Sequence, residues 1–395
     1  MTILTPGSHP DFLDLPWGEP LIDWDHPRLV SMAHGISRHV VRFVRYSERV
    51  YALKETEDRV ARSELDMLRV LNEEHLPVVR PVGVVTSSDT SVAILITRYL
   101  DYSLPYWYLF GRDEVHGLAD HLTNAGVALL VRLHLDGVFW GDCSLSNILF
   151  RRDAGALMAY LVDAETTERH KAISDGMRSY DIDIAVENII GGLLNLQQEG
   201  RVSPDLDPFE VGDQFRERYQ NLWEELTRSD SFALDERWRI NKRIEYINDL
   251  GFDVEELSIS ADGTELRITP IVLEEGHHSR ELRRRTGLDV QENQARRLLS
   301  DIRSFQAWLG GQDSRPVPEA VGAARWLAEV YEPLMVSVPA QLRERLEEAE
   351  IFHNLLEHRY LLAESLGREV PNEEALADYL EKNLQSRPAE RQLRE

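Results

Sequence analysis

Gly141-Asp142-Cys143-Ser144-Leu145-Ser146-Asn147, followed sixteen residues after the asparagine by Asp163 in Leu161-Val162-Asp163-Ala164-Glu165, decides how this chain reads. The first stretch is a loop between a helical pattern over about 115–136 and a short strand that runs into an Arg-Arg-Asp-Ala-Gly turn. The second ends the apolar strand LMAYLVDAE in acids. Moving a phosphoryl group off a nucleotide needs a carboxylate that orients the attacking hydroxyl, and oxygen ligands for Mg²⁺ bridging the phosphates. A loop aspartate with an asparagine five positions later, plus a strand-end aspartate, supplies these parts: Asp142 for the nucleophile, Asn147 and Asp163 for metal. In isolation Asp and Asn are ordinary turn and cap residues; the order of the surrounding elements separates the two readings.

Upstream, an irregular, proline-bearing arm extends to about residue 27. Period-2 patterning then appears in RLVSMAH, HVVRFVRY and RVYALKE, broken at Gly35 and by a polar turn at Ser47 and Glu48, and predicts three antiparallel strands. From about 57 to 74, Val60, Leu65, Met67, Leu68 and Leu71 stand near helical spacing until Pro77 interrupts. VVRPVGVVT and SVAILITRYL, joined by a Ser-Ser-Asp turn, predict two more strands, the second buried on both faces because its apolar run is nearly continuous. Downstream, YDIDIAVENIIGGLLNL and FEVGDQFRERYQNLWEEL predict helices. The fold class is therefore α+β and bilobal: a five-stranded antiparallel N-lobe with one helix over 28–100, and a mainly helical C-lobe over 101–230.

With Asp142, Asn147 and Asp163 in this order, the chain resembles the protein-kinase-like superfamily, in its small-molecule and lipopolysaccharide-kinase branches, over roughly residues 28–225. The resemblance implies a lysine on the third strand to hold the α- and β-phosphates, and YALKE places Lys54 there. It implies a glutamate on the next helix to orient that lysine. Glu64 is the candidate, although Glu57, Asp58 and Asp66 are also acids of that segment. It further implies a phosphate-covering loop at Gly35 and Ser37, and an adenine-contacting linker around Arg98, Tyr99 and Leu100. Leu133, His134 and Gly137 resemble the end of the helix that leads into the catalytic loop, and Glu165 resembles a second acid that serves as a metal ligand. The implied cofactors are ATP and Mg²⁺, and the implied reaction is transfer of the γ-phosphoryl group to a hydroxyl of a small molecule, glycan, lipid or protein.

The departures from the pattern matter. HGISRH holds one glycine, so backbone amides approach phosphate closely only at Gly35 and Ser37, with Arg38 or His39 compensating by charge. Trp140 and Gly141 stand where protein kinases carry His and Arg, which argues against control by activation-loop phosphorylation. These changes keep open a nucleotide-binding scaffold that presents its C-terminal region to a partner, and an AMP transferase that inverts the nucleotide in the same site. Cys143 has acidic or neutral neighbours and reads as a packed, inert thiol. Tyr99, Tyr102, Tyr106, Trp107 and Tyr108 either shape an acceptor pocket or fill a core corner.

Beyond about residue 230, two segments flank Asp262-Gly263 and predict a β-hairpin among helices at about 234–250 and 277–309; the last 75 or so residues are helical. This 231–395 region resembles an actinobacterial domain of unknown function, of the DUF4032 type. Arg280, Arg283, Arg284, Arg285, Arg296 and Arg297 form a candidate surface for an anionic or protein partner, or a solvated face. Glu350 and His353, spaced like half of a di-iron site, lack the other half and read as an ordinary helix face. The 395 residues carry a formal net charge of −25, which disfavours general nucleic-acid binding, and a single cysteine excludes an internal disulfide framework. No apolar run is long enough to span a bilayer and the N-terminus lacks signal-peptide features, so a cytoplasmic location is expected.

Overall fold

In the computed structural model the described residues are 2–4, 9–35, 37–86, 91–110, 117–227, 230–233, 257–259, 265–268, 276–313 and 317–394. They form two compact units. The first comprises Met1–Arg151, Ala159–Glu225 and Leu393–Glu395; the second comprises Arg152–Met158 and Leu226–Gln392.

The first unit opens with an antiparallel sheet of β1 (Thr2–Leu4), β2 (Leu29–Val30), β3 (Val41–Tyr46), β4 (Arg49–Glu57), β5 (Pro81–Thr86) and β6 (Val92–Arg98). Its order is β1-β5-β6-β4-β3-β2. Five of these strands are those that the patterning predicts; the sixth, β1, pairs with β5 and lies in the arm that reads as irregular. The near-continuous apolar run of β6 buries Ala93, Ile94, Leu95 and Ile96, so both faces of that strand are covered, as expected for a central strand. One side of the sheet packs Val44, Leu53, Val82 and Ile96 against Phe12, Leu21 and Trp24 of the arm. Burying these apolar side chains contributes roughly 1.5–3 kcal/mol for each large one.

Helix α1 (Asp58–Glu73) follows β4 and buries Ala61, Glu64, Leu65, Leu68 and Leu71 at three- and four-residue spacing. Glu64 is the polar exception in that stripe. The strand β7 (Leu104–Pro105) and the helix α2 (Tyr106–Phe110) lead to α3 (Leu118–Leu135), whose burial nearly all round marks it as the centre of the helical lobe. After α3 come β8 (Val138–Phe139), the loop 140–147, β9 (Ile148–Asp153), β10 (Ala156–Leu161) and β11 (Glu168–Arg169). Gly137 begins the turn into β8 at φ +77°, where an added Cβ would lie 2.4 Å from the His170 carbonyl oxygen. No other residue type fits there. Helix α4 (Asp175–Gln198) starts at Ser174, whose hydroxyl accepts from the Met177 N–H, and α5 (Pro208–Thr227) completes the lobe.

In the second unit, Leu257–Ile259 pairs antiparallel with Glu265–Ile268, which also pairs with Asp230–Ala233. The hairpin pairing agrees with the sequence reading; Asp262 and Gly263, and the helix expected at 234–250, lie outside the described residues. Helices His277–Thr286, Glu292–Asp313 and Glu348–Leu366 carry the core, where Trp326, Tyr331 and Phe352 meet ring to ring. Asp153 Oδ1 and Oδ2 accept the Gln294 and Asn293 N–H groups at the start of Glu292–Asp313, and Glu350 Oε2 accepts the Ala154 N–H at 2.8 Å. Glu350 thus anchors the β9–β10 turn. None of the described helices is long and apolar enough to cross a membrane.

Candidate active site

Lys54 lies mid-way along β4, in register with Val41 of β3 and Leu95 of β6, so its Cα is held on both sides. Its Nζ donates to Asp163 Oδ2 at 2.7 Å, to Glu64 Oε2 at 3.0 Å and to Glu165 Oε2 at 3.5 Å. The helix stripe selects Glu64 over its acidic neighbours: its side chain is 1% exposed, whereas that of Asp66 is 76% exposed. Burial opposes a charge on Lys54, but Glu64 and Asp163 overcome it and hold the ammonium above its usual range. Burial, reinforced by the Asp163 charge, pushes Glu64 up to about 7. Asp163 is also buried, yet Lys54 outweighs the desolvation and keeps its carboxyl below the ordinary value.

Asp163 Oδ1 accepts the Glu165 N–H at 3.0 Å. The carboxylate of Glu165 is met by Arg38 Nη2 at 3.2 Å and His39 Nε2 at 2.9 Å from the covering segment, the two side chains expected to compensate for its missing glycines. Gly35 presses against the loop 140–147: a Cβ there would lie 2.3 Å from the Ser146 carbonyl oxygen. Ser37 Oγ accepts the His39 N–H at 3.1 Å, and the His34 carbonyl accepts from Trp107 Nε1 at 2.8 Å. Tyr99 packs with Met32, Phe43 and Val50, its N–H bonded to the Val50 carbonyl, and the Arg98 N–H bonds to the Arg80 carbonyl. Leu100 follows, half-buried.

The second group of candidate residues sits on the loop 140–147. Asn147 Nδ2 donates to both the carbonyl and Oδ2 of Asp142 at 3.1 Å, while the Val162 N–H bonds the Asn147 carbonyl at 3.0 Å and ties this turn to the strand that delivers Asp163. Two residues not singled out in the sequence complete the arrangement. Asp181 accepts the Trp140 N–H at 2.7 Å, the Gly141 N–H at 2.9 Å and His134 Nε2 at 2.9 Å; Asn188 donates to Asp142 Oδ1. Both lie in the YDIDIAVENII helix, which also carries Asp183 and Glu187, so the pattern alone does not separate them from their polar neighbours. Cys143 is buried, and desolvation, with Asp181 and Asp142 nearby, raises its thiol well above the usual range, so it is an inert packing residue.

Glu64, Asp163 and Glu165 offer carboxylate oxygens within 4.8 Å of one another. Asn147 has committed its amide nitrogen to Asp142 and its backbone carbonyl to Val162, leaving its side-chain Oδ1 to offer. Hard oxygen donors gathered in this way suit Mg²⁺. In the second unit, by contrast, Arg285 is bonded to Glu281 and lies 3.1 Å from Glu319 Oε2, and Arg283 Nη1 lies 4.0 Å from Asp289 Oδ1.

Two family models match the chain. Residues 42–183 match the lipopolysaccharide kinase (Kdo/WaaP) family and residues 221–384 match a domain of unknown function, DUF4032. The N-terminal match contains Lys54, Glu64, Asp142, Asn147 and Asp163 together. Among solved structures, "WaaP in complex with acyl carrier protein" is 16% identical, with a TM-score of 0.38 over 63% of this chain and 99% of that one. "Crystal structure of aminoglycoside-3'-phosphotransferase of type VIII" is 15% identical, with a TM-score of 0.36 over 50% of this chain and 88% of that one. No curated protein matches.

Proposed function

We propose that this chain is an ATP- and Mg²⁺-dependent phosphotransferase that moves the γ-phosphoryl group to a hydroxyl acceptor. The observation that carries the reading is Lys54 Nζ held between Glu64 and Asp163, residues brought together from a strand, a helix and the chain after β10. A merely solvated lysine has no reason to be tied to a carboxylate that is 1% exposed.

In this reading Lys54, set by Glu64, positions the α- and β-phosphates. Asn147 and Asp163, with Glu165 beside them, hold Mg²⁺, which neutralises charge on the phosphates when bound. Asp142 orients the acceptor hydroxyl. The hydroxyl oxygen bonds to the γ-phosphorus, the bridging bond to ADP breaks with its electron pair leaving on ADP, and the hydroxyl proton passes to Asp142. Arg38 and His39 of the covering segment, now on Glu165, are the side chains that would meet the phosphates from that side. The acceptor is a hydroxyl compound or protein, and the arginine-bearing helices of the second unit are a further candidate surface for an anionic partner.

Binding and turnover of Mg-ATP by wild type, Asp163→Asn and Asp142→Asn test this assignment. The first substitution is expected to weaken metal-nucleotide binding; the second is expected to spare binding and abolish turnover. Label from γ-labelled ATP in acceptor or water supports the kinase reading, label from α-labelled ATP identifies AMP transfer, and undiminished binding in all three proteins without turnover identifies a scaffold.

A further inference from the structure

Helix α4 holds the catalytic loop at two levels. Asp181 accepts the backbone N–H groups of Trp140 and Gly141. Asn188, seven positions and so about two turns further along the same face, donates Nδ2 to Asp142 Oδ1 at 3.2 Å and to the Cys143 carbonyl at 3.1 Å. Both partners of that amide are acceptors, which decides its orientation. Asn147 Nδ2 donates to the other carboxylate oxygen, Oδ2, at 3.1 Å. Each oxygen of Asp142 therefore receives one amide N–H, from two different elements.

We propose that Asn188 is a positioning residue for Asp142. The inference rests on the phosphotransfer reading above and adds to it what directs the carboxylate. With Asn147 alone, the carboxylate is held at one oxygen and turns about that bond. With Asn188 on the second oxygen its plane is set, and each oxygen keeps a further lone pair for the acceptor hydroxyl. An amide suits this position because it donates without charge. A lysine or arginine would neutralise the carboxylate and draw phosphate towards it, whereas an aspartate would set two carboxylates and the Cys143 carbonyl against one another. Phosphoryl transfer depends on in-line placement of the nucleophile more than on base strength, so a carboxylate free to rotate lowers the rate without altering nucleotide affinity.

The test is steady-state release of labelled phosphate from γ-labelled Mg-ATP by the full chain as wild type, Asn188→Ala and Asn188→Asp, with the KM for ATP and a thermal melt of each. Asn188→Ala is expected to lower kcat on the order of tenfold and Asn188→Asp on the order of a hundredfold, with KM unchanged. A purely structural role would lower the melting temperature and leave the kcat of the folded fraction intact, and that result would overturn the inference. The double substitution Asp142→Asn with Asn188→Asp swaps amide and carboxylate across the contact. It is expected to restore part of the melting temperature lost in Asn188→Asp, the Cys143 carbonyl still facing the new carboxylate, while remaining without turnover; no restoration at all shows that the contact with position 142 is absent and sinks the proposal without reference to activity. Wild type that releases no phosphate overturns the phosphotransfer reading and this inference with it, whereas an active wild type with unaffected Asn188 variants overturns the inference alone.

Discussion

Lys54 faces three carboxylates, and one of them, Glu64, has almost no access to water. Removing the cation while keeping the bulk, as in Lys54→Met, strands a buried charge, for which a loss of about 3 kcal/mol is expected. The loss depends on pH with a definite sign. The carboxyl of Glu64 is raised from 4.5 to about 7 in the folded chain, so its contribution is complete below about 4.5 and is lost as pH rises through 7. Without Lys54 the folded value climbs further, so the gap between wild type and Lys54→Met should widen from pH 5 to pH 8. Urea denaturation at the two pH values measures it; a gap that narrows with rising pH contradicts the assignment of Lys54 as the counter-charge of Glu64.

At the scale of elements, α4 and α5 together support the loop from beneath. His134 at the end of α3 bonds Asp181 through Nε2 and approaches the Tyr219 hydroxyl of α5 to 2.6 Å through Nδ1. Burial lowers the proton affinity of His134 despite the bond to Asp181. An imidazole that is harder to protonate when folded stabilises the chain above its unfolded value of 6.5, and that contribution is lost as pH falls below it. Asp181→Ala leaves the Trp140 and Gly141 N–H groups and His134 without their acceptor and should cost about 3 kcal/mol at pH 7.5. The same variant should lose turnover more than the destabilisation explains, since the loop that carries Asp142 loses its support. Thermal melts paired with phosphate release check both; a variant as stable and as active as wild type rules out α4 as the support.

On the scale of the whole molecule, each unit draws on distant parts of the chain. The first takes in residues near the C-terminus, where the Leu393 carbonyl accepts the Ala33 N–H at 2.8 Å two positions before Gly35. The second takes in Arg152–Met158, where Arg152 makes paired bonds to Glu390 at 2.9 Å and Asp153 meets the start of Glu292–Asp313. Asp153 is fully buried, and desolvation, against the bonds from Gln294 and Asn293, raises its carboxyl from 3.8 to about 7. Its stabilising contribution is present in full below about 3.8 and is lost as pH rises through 7. Asp153→Asn keeps one acceptor oxygen, gives up the second N–H bond and removes the charge, so its melting temperature relative to wild type should rise by a few degrees from pH 4 to pH 8. A relative melting temperature that falls from pH 4 to pH 8 would show that the helix N-terminus needs the full negative charge there.

The strands, the helices and the order Lys54, Glu64, Asp142, Asn147, Asp163 were legible in the chain because side-chain periodicity follows from backbone geometry, and because phosphate chemistry admits few residue types. Glu64 could have been singled out from Glu57, Asp58 and Asp66 by its place in the α1 stripe. The partners of Glu165, the two amides on Asp142 and the strand β1 were not legible. Each depends on which residues meet across more than a hundred positions, across two helical turns, or at a sheet edge whose pattern spans three residues. Composition and local spacing carry no record of such distances. Only packing decides which polar group is left without water, and therefore which neighbour must answer it.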